Sequence, residues 1–305
     1  MYSYFDTHCD TLLKLYKHGK TLFDKALHIN YEALTVYKNT VQCFALFNEG
    51  DLKIQDYFDA ADFLKKECDS SGRMSLCTDT YGIDKAFRQG KTAAVLTAEG
   101  IGNTPDFKPE HIFMLKKSGY MMTGLVWNGD NSLCGGALGG NAGITTIGAV
   151  TLRNMEKSDM IVDVSHMSER SCADVFGIFC KPVVASHSNL DSVCPNKRNL
   201  SDSNAAGIIK SGGAIGITVY PPFVGGKNSI EDLIAHTDRI ISMGGAGNIC
   251  IGADFDGIAE AVDGIRGGGD MIRLFEAFAR HNYPKKLIND ISFNNIYNIF
   301  KKYEI

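Results

Sequence analysis

The chain has 305 residues, of which 44% are apolar and 22% are charged, and its formal net charge is −4. This apolar content is enough for a large buried core. Because no basic block is present, neither nucleic acid nor an anionic membrane is an expected partner. No signal-peptide pattern and no bilayer-length apolar run occur, so we expect a cytoplasmic protein. The nine cysteines form no CxxC pair, which argues against a zinc ribbon or a redox motif.

Short apolar strands alternate with helical patterns along the whole chain. The predicted strands, in order, are residues 3–10, 40–47, 92–97, 120–126, 159–165, 182–186, 213–219 and 248–253. The predicted helices are residues 11–18, 56–67, 109–117, 147–157, 203–210, 229–242, 272–280 and 294–302. Residues 129–146 contain many glycines and predict a long irregular loop, a type of loop that is often functional.

Eight strands separated by helices indicate parallel pairing, and eight is the strand number of a closed (β/α)8 TIM barrel. An open doubly wound sheet is the rival fold, but no GxGxxG follows the first strand. We therefore predict an α/β chain in which residues 1–305 form one (β/α)8 barrel domain. Such barrels place their catalytic groups at the carboxyl ends of the strands.

The first strand ends in His8 and Asp10. Side chains two residues apart on a strand point to the same face, so this imidazole and this carboxylate form half of a metal site. Considered alone, the pair has a simpler interpretation. His8 would bond a backbone carbonyl, and Asp10 would cap the helix that begins at residue 11.

Four further chemically active side chains follow later strands. Glu99 comes after the third strand, His166 and His187 end the fifth and sixth, and Asp254 ends the eighth. Each has a structural alternative when taken singly: a solvated Glu, a histidine bonded to the backbone, or a turn aspartate. Asp256 is the alternative to Asp254, with a turn role before a glycine favoured for it.

Taken together, the six residues provide three imidazoles and three carboxylates at five strand ends. Neutral imidazole is a preferred ligand of zinc. A site with two metals about 3.5–4 Å apart needs several ligands. This set supplies them and leaves one carboxylate for proton transfer.

In several segments the sequence resembles the membrane dipeptidase (renal dipeptidase) family of amidohydrolase-type barrels, in the family's order and over nearly the full length. These segments are DTHCD at 6–10, AEG at 98–100, WNGDN at 127–131, DVSHMS at 163–168, SHSN at 186–189, KRNL at 197–200 and GADFDG at 252–257.

The resemblance implies a barrel of the metal-dependent hydrolase type that holds two zinc ions as its cofactors. His8 and Asp10 would bind one ion, His166 and His187 the other, and Glu99 both. A hydroxide shared by the ions would attack the peptide carbonyl. Asp254 would be the catalytic residue that carries the proton from that water to the leaving amine.

Three residues are predicted to bind substrate. The resemblance implies that Arg198 holds the terminal carboxylate of a dipeptide, for which a guanidinium offers a bidentate fork. From its spacing alone, a surface salt bridge would be the favoured alternative. Trp127 stands where some family members carry a substrate-binding histidine, so we expect an altered rate or substrate preference. Tyr220 lines the pocket in this prediction, with aromatic packing at a strand end as the alternative.

The leading hypothesis is a zinc dipeptidase acting on small dipeptides, and the resemblance also implies a homodimer. A second hypothesis keeps both metals and changes the substrate to a lactone, a cyclic amide, a β-lactam or a phosphotriester. A third is a non-catalytic barrel used for binding. It ranks low because every expected ligand is present.

Overall fold

Parallel strands dominate the computed structural model, which describes residues 1–304. Within that range the strands are β1 (Tyr4–Asp6), β2 (Thr40–Phe47), β3 (Met74–Cys77), β4 (Thr92–Glu99), β5 (Tyr120–Gly124), β6 (Ile161–Asp163), β7 (Val184–Ala185), β8 (Ala214–Ile217) and β9 (Ile249–Ile251). Most of their residues are buried on both faces, as expected for a parallel sheet covered by helices.

Eight of these strands form a closed ring. Going round it, the order is β2, β1, β9, β8, β7, β6, β5 and β4, and β4 pairs with β2 from Val41↔Ala93 to Phe47↔Glu99. All strand pairings in the ring are parallel. The predicted (β/α)8 barrel is therefore confirmed, and the doubly wound alternative is wrong.

Strand β3 lies outside the ring and was not predicted. It pairs with the first half of β4, from Met74↔Thr92 to Cys77↔Val95. The segment has only four residues and its middle two are partly exposed, so it lacks the apolar run that marks the buried strands. The helix that follows it, residues 80–88, was missed with it.

Helices cover the outside of the ring. They are α1 (Thr11–His18), α2 (Tyr31–Leu34), α3 (Ile54–Ser71), α4 (Thr80–Arg88), α5 (His111–Lys117), α6 (Thr146–Lys157), α7 (Glu169–Ile178), α8 (Asp202–Ser211), α9 (Pro221–Val224), α10 (Ile230–Ser242), α11 (Ile272–Arg280), α12 (Lys285–Asn289) and α13 (Asn295–Lys302). A π-helical segment, Asp290–Asn294, connects α12 to α13. Within residues 1–304, none of the helices combines the length and the apolar character needed to cross a membrane.

The interior of the barrel is tightly packed close to the carboxyl ends of its strands. The Thr7 hydroxyl oxygen lies 2.6 Å from the Ser186 carbonyl oxygen and 2.8 Å from the Ile251 carbonyl oxygen. A Cβ atom on Gly252 would lie 1.6 Å from the Ser186 carbonyl oxygen, so only glycine permits this approach. The backbone segments that carry the predicted site residues are thus held against one another.

Residues 129–145 of the glycine-rich segment are irregular, as predicted, and they pack against the loop that follows β6. Residue 146, the last of the predicted loop, instead begins α6. Ala137 N–H donates to the His166 carbonyl and Ser168 N–H to the Gly135 carbonyl, at 2.8 and 2.9 Å. The Asp130 carboxylate accepts the N–H groups of Gly136 and Gly140. These bonds hold the loop over the end of the barrel where β6 and β7 open.

His236 on α10 ties the loop after β7 to the barrel, and we predict a pH-dependent contribution to stability from it. Its Nδ1 accepts the Leu190 N–H at 3.2 Å, and its Nε2 lies 3.0 Å from the Val224 carbonyl oxygen. Burial lowers the pKa of His236 below the usual value of about 6.5. As the pH falls below about 6.5, the unfolded chain binds a proton at His236 more readily than the folded chain does. The free energy of unfolding should therefore decrease as the pH falls, by at most about 1.4 kcal/mol per pH unit from this group.

Urea unfolding between about pH 5 and pH 8 measures this contribution. The H236Q variant should lose less stability than the wild type as the pH falls below about 6.5. The matched control is H281Q, which makes the same substitution at an exposed histidine and should follow the wild type. Parallel curves for all three proteins would contradict the prediction.

Candidate metal centre

His8 and Asp10 follow β1 at the mouth of the barrel. The backbone remains strand-like beyond Asp6, because Cys9 forms a bridge with Phe255 and Ala45 N–H donates to the Cys9 carbonyl. Alternation therefore holds, and His8 Nε2 lies 3.7 Å from Asp10 Oδ2. The predicted half-site is formed by neighbouring side chains.

Glu99, the last residue of β4, lies between two imidazoles. Its Oε2 is 3.1 Å from His8 Nε2, and its Oε1 is 3.0 Å from His166 Nε2. Burial alone would raise the pKa of Glu99, but the two imidazoles outweigh it and the pKa is lowered. A charged carboxylate thus points one oxygen toward each of two nitrogen donors.

His166 and His187 meet at their Nε2 atoms, which are 2.8 Å apart. The Nδ1 atom of His166 lies 2.9 Å from the Asn128 amide oxygen, which can only accept a hydrogen bond. Nδ1 of His166 therefore carries the proton, and its Nε2 presents a lone pair. Burial lowers the pKa of His166 to about 4, with the Arg198 charge adding to the effect. Neutral imidazoles in this state are metal ligands.

Asp254 faces the same space from the end of β9. Its Oδ1 lies 3.8 Å from His8 Nε2. Burial raises the pKa of Asp254 to about 8, and the charges of Asp10 and Glu99 act in the same direction. Asp256 is directed elsewhere, and its buried carboxylate accepts bonds from Thr11, Lys14 and the backbone of residues 28 and 29. Of the two candidate aspartates, only Asp254 reaches the cluster.

Arg198 approaches the cluster from the loop after β7. Its Nη2 lies 3.4 Å from the His187 carbonyl oxygen, and its guanidinium lies over the Phe223 ring at 5.3 Å. The side chain is buried, and its Nε has no hydrogen-bond partner within residues 1–304. Burial lowers the pKa of Arg198, although Glu99 and Asp254 act to raise it.

Trp127 and Tyr220, the two aromatic residues predicted to bind substrate, contact different parts of the site. The Trp127 ring is 6.2 Å from the His166 ring and packs edge-on against Phe47 at 4.9 Å. Tyr220 packs at right angles on Phe223, the ring that faces Arg198. Trp127 is therefore close to the imidazole cluster, whereas Tyr220 packs on Phe223, which in turn contacts Arg198.

The donor set fits two cations. Three groups of side chains each offer ligand atoms that lie within 4.8 Å of one another. Two of these groups share Glu99: one is His8, Asp10 and Glu99, and the other is Glu99, His166 and His187. The third group is His8, His187 and Asp254. Within residues 1–304, neither His8 Nε2 nor Asp10 Oδ1 has a hydrogen-bond partner, although both are buried. Buried polar atoms without partners are costly, and a cation between them would satisfy both.

The comparison with family models decides the classification. The model described as membrane dipeptidase (peptidase family M19) matches residues 2–305. The chain belongs to the membrane dipeptidase family. Its members are metallo-dipeptidases, so this protein is a hydrolase that acts on peptide bonds.

One relative and two solved structures illustrate what the chain is similar to. The dipeptidase tcpJ of Claviceps purpurea is 24% identical over 261 residues, which cover 82% of this chain and 60% of the relative. A solved metallopeptidase of family M19, dipeptidase AC, superposes with a TM-score of 0.89 at 22% identity, covering 98% of both chains. A Rhodobacter sphaeroides metallopeptidase bound to a phosphinate mimic of the dipeptide L-Ala-D-Ala has a TM-score of 0.87 at 22% identity, covering 98% and 99%. These two structures support the barrel fold.

Two partners of the cluster were not assigned a role from the sequence. Asn128 lies beside Trp127, and Ser186 precedes His187, where its Oγ contacts the imidazole Nδ1 at 2.7 Å. Their local signal was their position next to a strand-end residue. The Ser186 hydroxyl in turn donates to the Asp163 carboxylate.

Gly257 provides room for two of the carboxylates in this metallo-dipeptidase. A Cβ atom at this position would lie 2.0 Å from Asp10 Oδ2 and 2.8 Å from Asp254 Oδ1. We predict that G257A displaces the Asp10 carboxylate and lowers metal affinity at least about 10-fold. Bound metal per chain, measured at a series of buffered zinc concentrations, tests this.

The control for G257A is G247A, because a Cβ atom on Gly247 meets nothing within 4 Å among residues 1–304. This variant should bind metal as the wild type does. If G257A retains wild-type metal affinity, Gly257 has no part in placing Asp10.

Proposed function

We propose that this chain hydrolyses the peptide bond of small dipeptides with two zinc ions at the candidate metal centre. The observation that carries the proposal is the position of Glu99. Its two carboxylate oxygens point toward imidazoles from opposite sides of the barrel mouth, at 3.1 and 3.0 Å. This arrangement is suited to one carboxylate shared by two ions.

His8 and Asp10 would hold one ion, His166 and His187 the other, and Glu99 both. When bound, the ions would supply a shared hydroxide at neutral pH and would polarise the scissile carbonyl. Asp254 holds the proton taken from the attacking water and returns it to the leaving amine. Its position beside His8 supports this role, as does the burial that raises the pKa of its carboxyl group.

Arg198 recognises the free carboxyl terminus of the dipeptide. Its guanidinium is buried, and its Nε lacks a partner within the described residues 1–304, so a carboxylate would satisfy it with a bidentate pair. Because the ion pair with Arg198 must form beside the reacting bond, the substrate is restricted to two residues. Trp127 forms the apolar wall next to His166 together with Phe47.

A second candidate keeps the two ions and takes a cyclic substrate. The Trp127–Phe47 pair favours it, because an apolar surface beside the candidate metal centre would also suit a lactone, a cyclic amide or a β-lactam. Dipeptides should nevertheless react fastest, since Arg198 is placed to bind a terminal carboxylate, which a simple lactone or cyclic amide lacks. A panel of these substrates separates the two candidates.

Comparing a dipeptide with its C-terminal amide tests the proposal. L-Ala-D-Ala is the first dipeptide to use, since its mimic binds the Rhodobacter sphaeroides neighbour. The zinc-loaded protein should hydrolyse it with a kcat/KM at least about 100-fold above that of its amide, equivalent to about 2.7 kcal/mol. A zinc-loaded protein that hydrolyses neither compound would refute the proposal.

Replacing Arg198 should remove this discrimination. In R198M the KM for L-Ala-D-Ala should rise about 100-fold, because a buried charge-assisted pair is lost, and the amide should be affected little. The neighbouring cation gives the control, K197M, whose side chain is exposed and whose kinetics should stay at wild-type values. If R198M still prefers the free carboxylate as strongly as the wild type does, the role of Arg198 is wrong.

A further inference from the structure

The two imidazoles at the His166/His187 position are supported by different groups. His166 Nδ1 faces the neutral amide of Asn128 at 2.9 Å. His187 Nδ1 faces the hydroxyl of Ser186 at 2.7 Å, and that hydroxyl in turn reaches the Asp163 carboxylate. One imidazole is therefore supported by an uncharged acceptor, and the other is connected to a buried negative charge.

These contacts form a hydrogen-bond series that runs from Asp163 through Ser186 to His187. The direction of each bond in the series is fixed by the neighbouring groups. Asp163 Oδ1 accepts the N–H groups of Ser165 and Ser186, both at 2.9 Å. Its Oδ2 accepts the Ser186 hydroxyl, which has a single proton to give. The Ser186 oxygen must then accept from His187, so Nδ1 of His187 carries the proton and its Nε2 lone pair faces His166 and Glu99.

The Asp163 carboxylate at the start of this hydrogen-bond series is well buried. Asp163 is only 3% exposed, and Ser186 is fully buried. The Ser186 backbone is held as well, because the Thr7 hydroxyl donates to its carbonyl at 2.6 Å. A rigid hydroxyl between a carboxylate and an imidazole transmits the effect of the charge in an environment of low dielectric constant.

We propose that Asp163 and Ser186 are positioning residues that act through His187 and set zinc affinity at the His166/His187 position. They hold His187 in the Nδ1–H tautomer and make its Nε2 a stronger donor. The support of a ligating imidazole by a carboxylate is worth about 10–100-fold in metal affinity. The His8/Asp10 position lacks such a link to Asp163 within the described residues, so the effect is confined to one ion. This inference rests on the proposed two-zinc function.

Two variants interrupt the hydrogen-bond series from Asp163 to His187 in different ways. S186A removes the hydroxyl but keeps the backbone N–H that Asp163 accepts. D163N keeps the size of the side chain but can donate to Ser186. The serine proton would then turn toward His187 Nδ1 and drive the imidazole to the wrong tautomer. The control is S188A, which makes the same substitution at a buried serine. Among the described residues the Ser188 Oγ has one side-chain hydrogen-bond partner, the Ser165 Oγ at 3.4 Å.

Equilibrium dialysis of the full chain against a series of zinc buffers, with zinc counted per chain, tests the inference. Wild type and S188A should fill two sites along the same curve. S186A and D163N should hold one ion where the wild type holds two, and should recover the second at about 10-fold or more higher free zinc. Anomalous scattering from S186A crystals should then locate the remaining ion beside His8.

The unfolding midpoints of the metal-free variants separate positioning from a general loss of structure. S186A should unfold within the range of S188A while its second zinc is weakened. If both ions weaken equally, or if the S186A curve superposes on that of a two-zinc wild type, the inference is overturned and the proposed function stands. A wild type that binds no zinc would overturn both.

Discussion

The E99Q variant is expected to lose both ions and at least about 1,000-fold in kcat/KM for dipeptides, equivalent to about 4 kcal/mol. The reason is the position of Glu99, 3.1 Å from His8 Nε2 and 3.0 Å from His166 Nε2. A glutamine offers one oxygen and no charge, so it cannot serve two cations. Zinc content and steady-state kinetics measured on one preparation check both parts of the prediction.

The control for E99Q is E231Q, which makes the same substitution at an exposed position near the start of α10. It should keep wild-type zinc content and rate. An E99Q protein that retains two ions and hydrolyses dipeptides within about 10-fold of the wild type would exclude the shared-carboxylate role.

The D254N variant is expected to lower kcat by about 100- to 10,000-fold while zinc content and KM stay near wild-type values. Asn removes the proton acceptor and preserves the shape of the side chain. The backbone at residue 254 has φ +68°, a conformation that Asn adopts more readily than most residues, so the fold should be kept. Stopped-flow or steady-state rates, with zinc counted in parallel, provide the measurement.

The contrasting variant is D256N. Asp256 has a similar backbone, with φ +66°, but its carboxylate binds Thr11 and Lys14 and the loop at residues 28–29. D256N should therefore lower the melting temperature and leave kcat within a few-fold of the wild type. If D256N abolished turnover and D254N did not, the assignment of the proton-transfer residue would have to be reversed.

The sequence predicted the barrel because its buried strands are nearly continuous apolar runs, as in residues 40–47. It also predicted which side chains would meet. Parallel strands of one ring end at one mouth, so His8, Glu99, His166, His187 and Asp254 have to converge once the fold is known. The HxD spacing at residues 8–10 needed only the alternation of a strand.

Other features depend on where the chain goes after each strand, and the sequence pattern does not encode this. Strand β3 is short and partly exposed, so it carries too little apolar signal to be recognised. Which of Asp254 and Asp256 faces the cluster depends on the local backbone: both residues have positive φ, and the Asp256 carboxylate accepts the N–H of residue 28. The link from Asp163 to His187 needs the hydroxyl geometry of Ser186, which spacing alone does not specify.

The measurement that bears most directly on the central claim is anomalous scattering at the zinc edge from crystals of the zinc-loaded protein. We predict two peaks that share the Glu99 carboxylate, one beside His8 and Asp10 and the other beside His166 and His187. A single peak, or peaks away from Glu99, would contradict the proposed two-zinc centre.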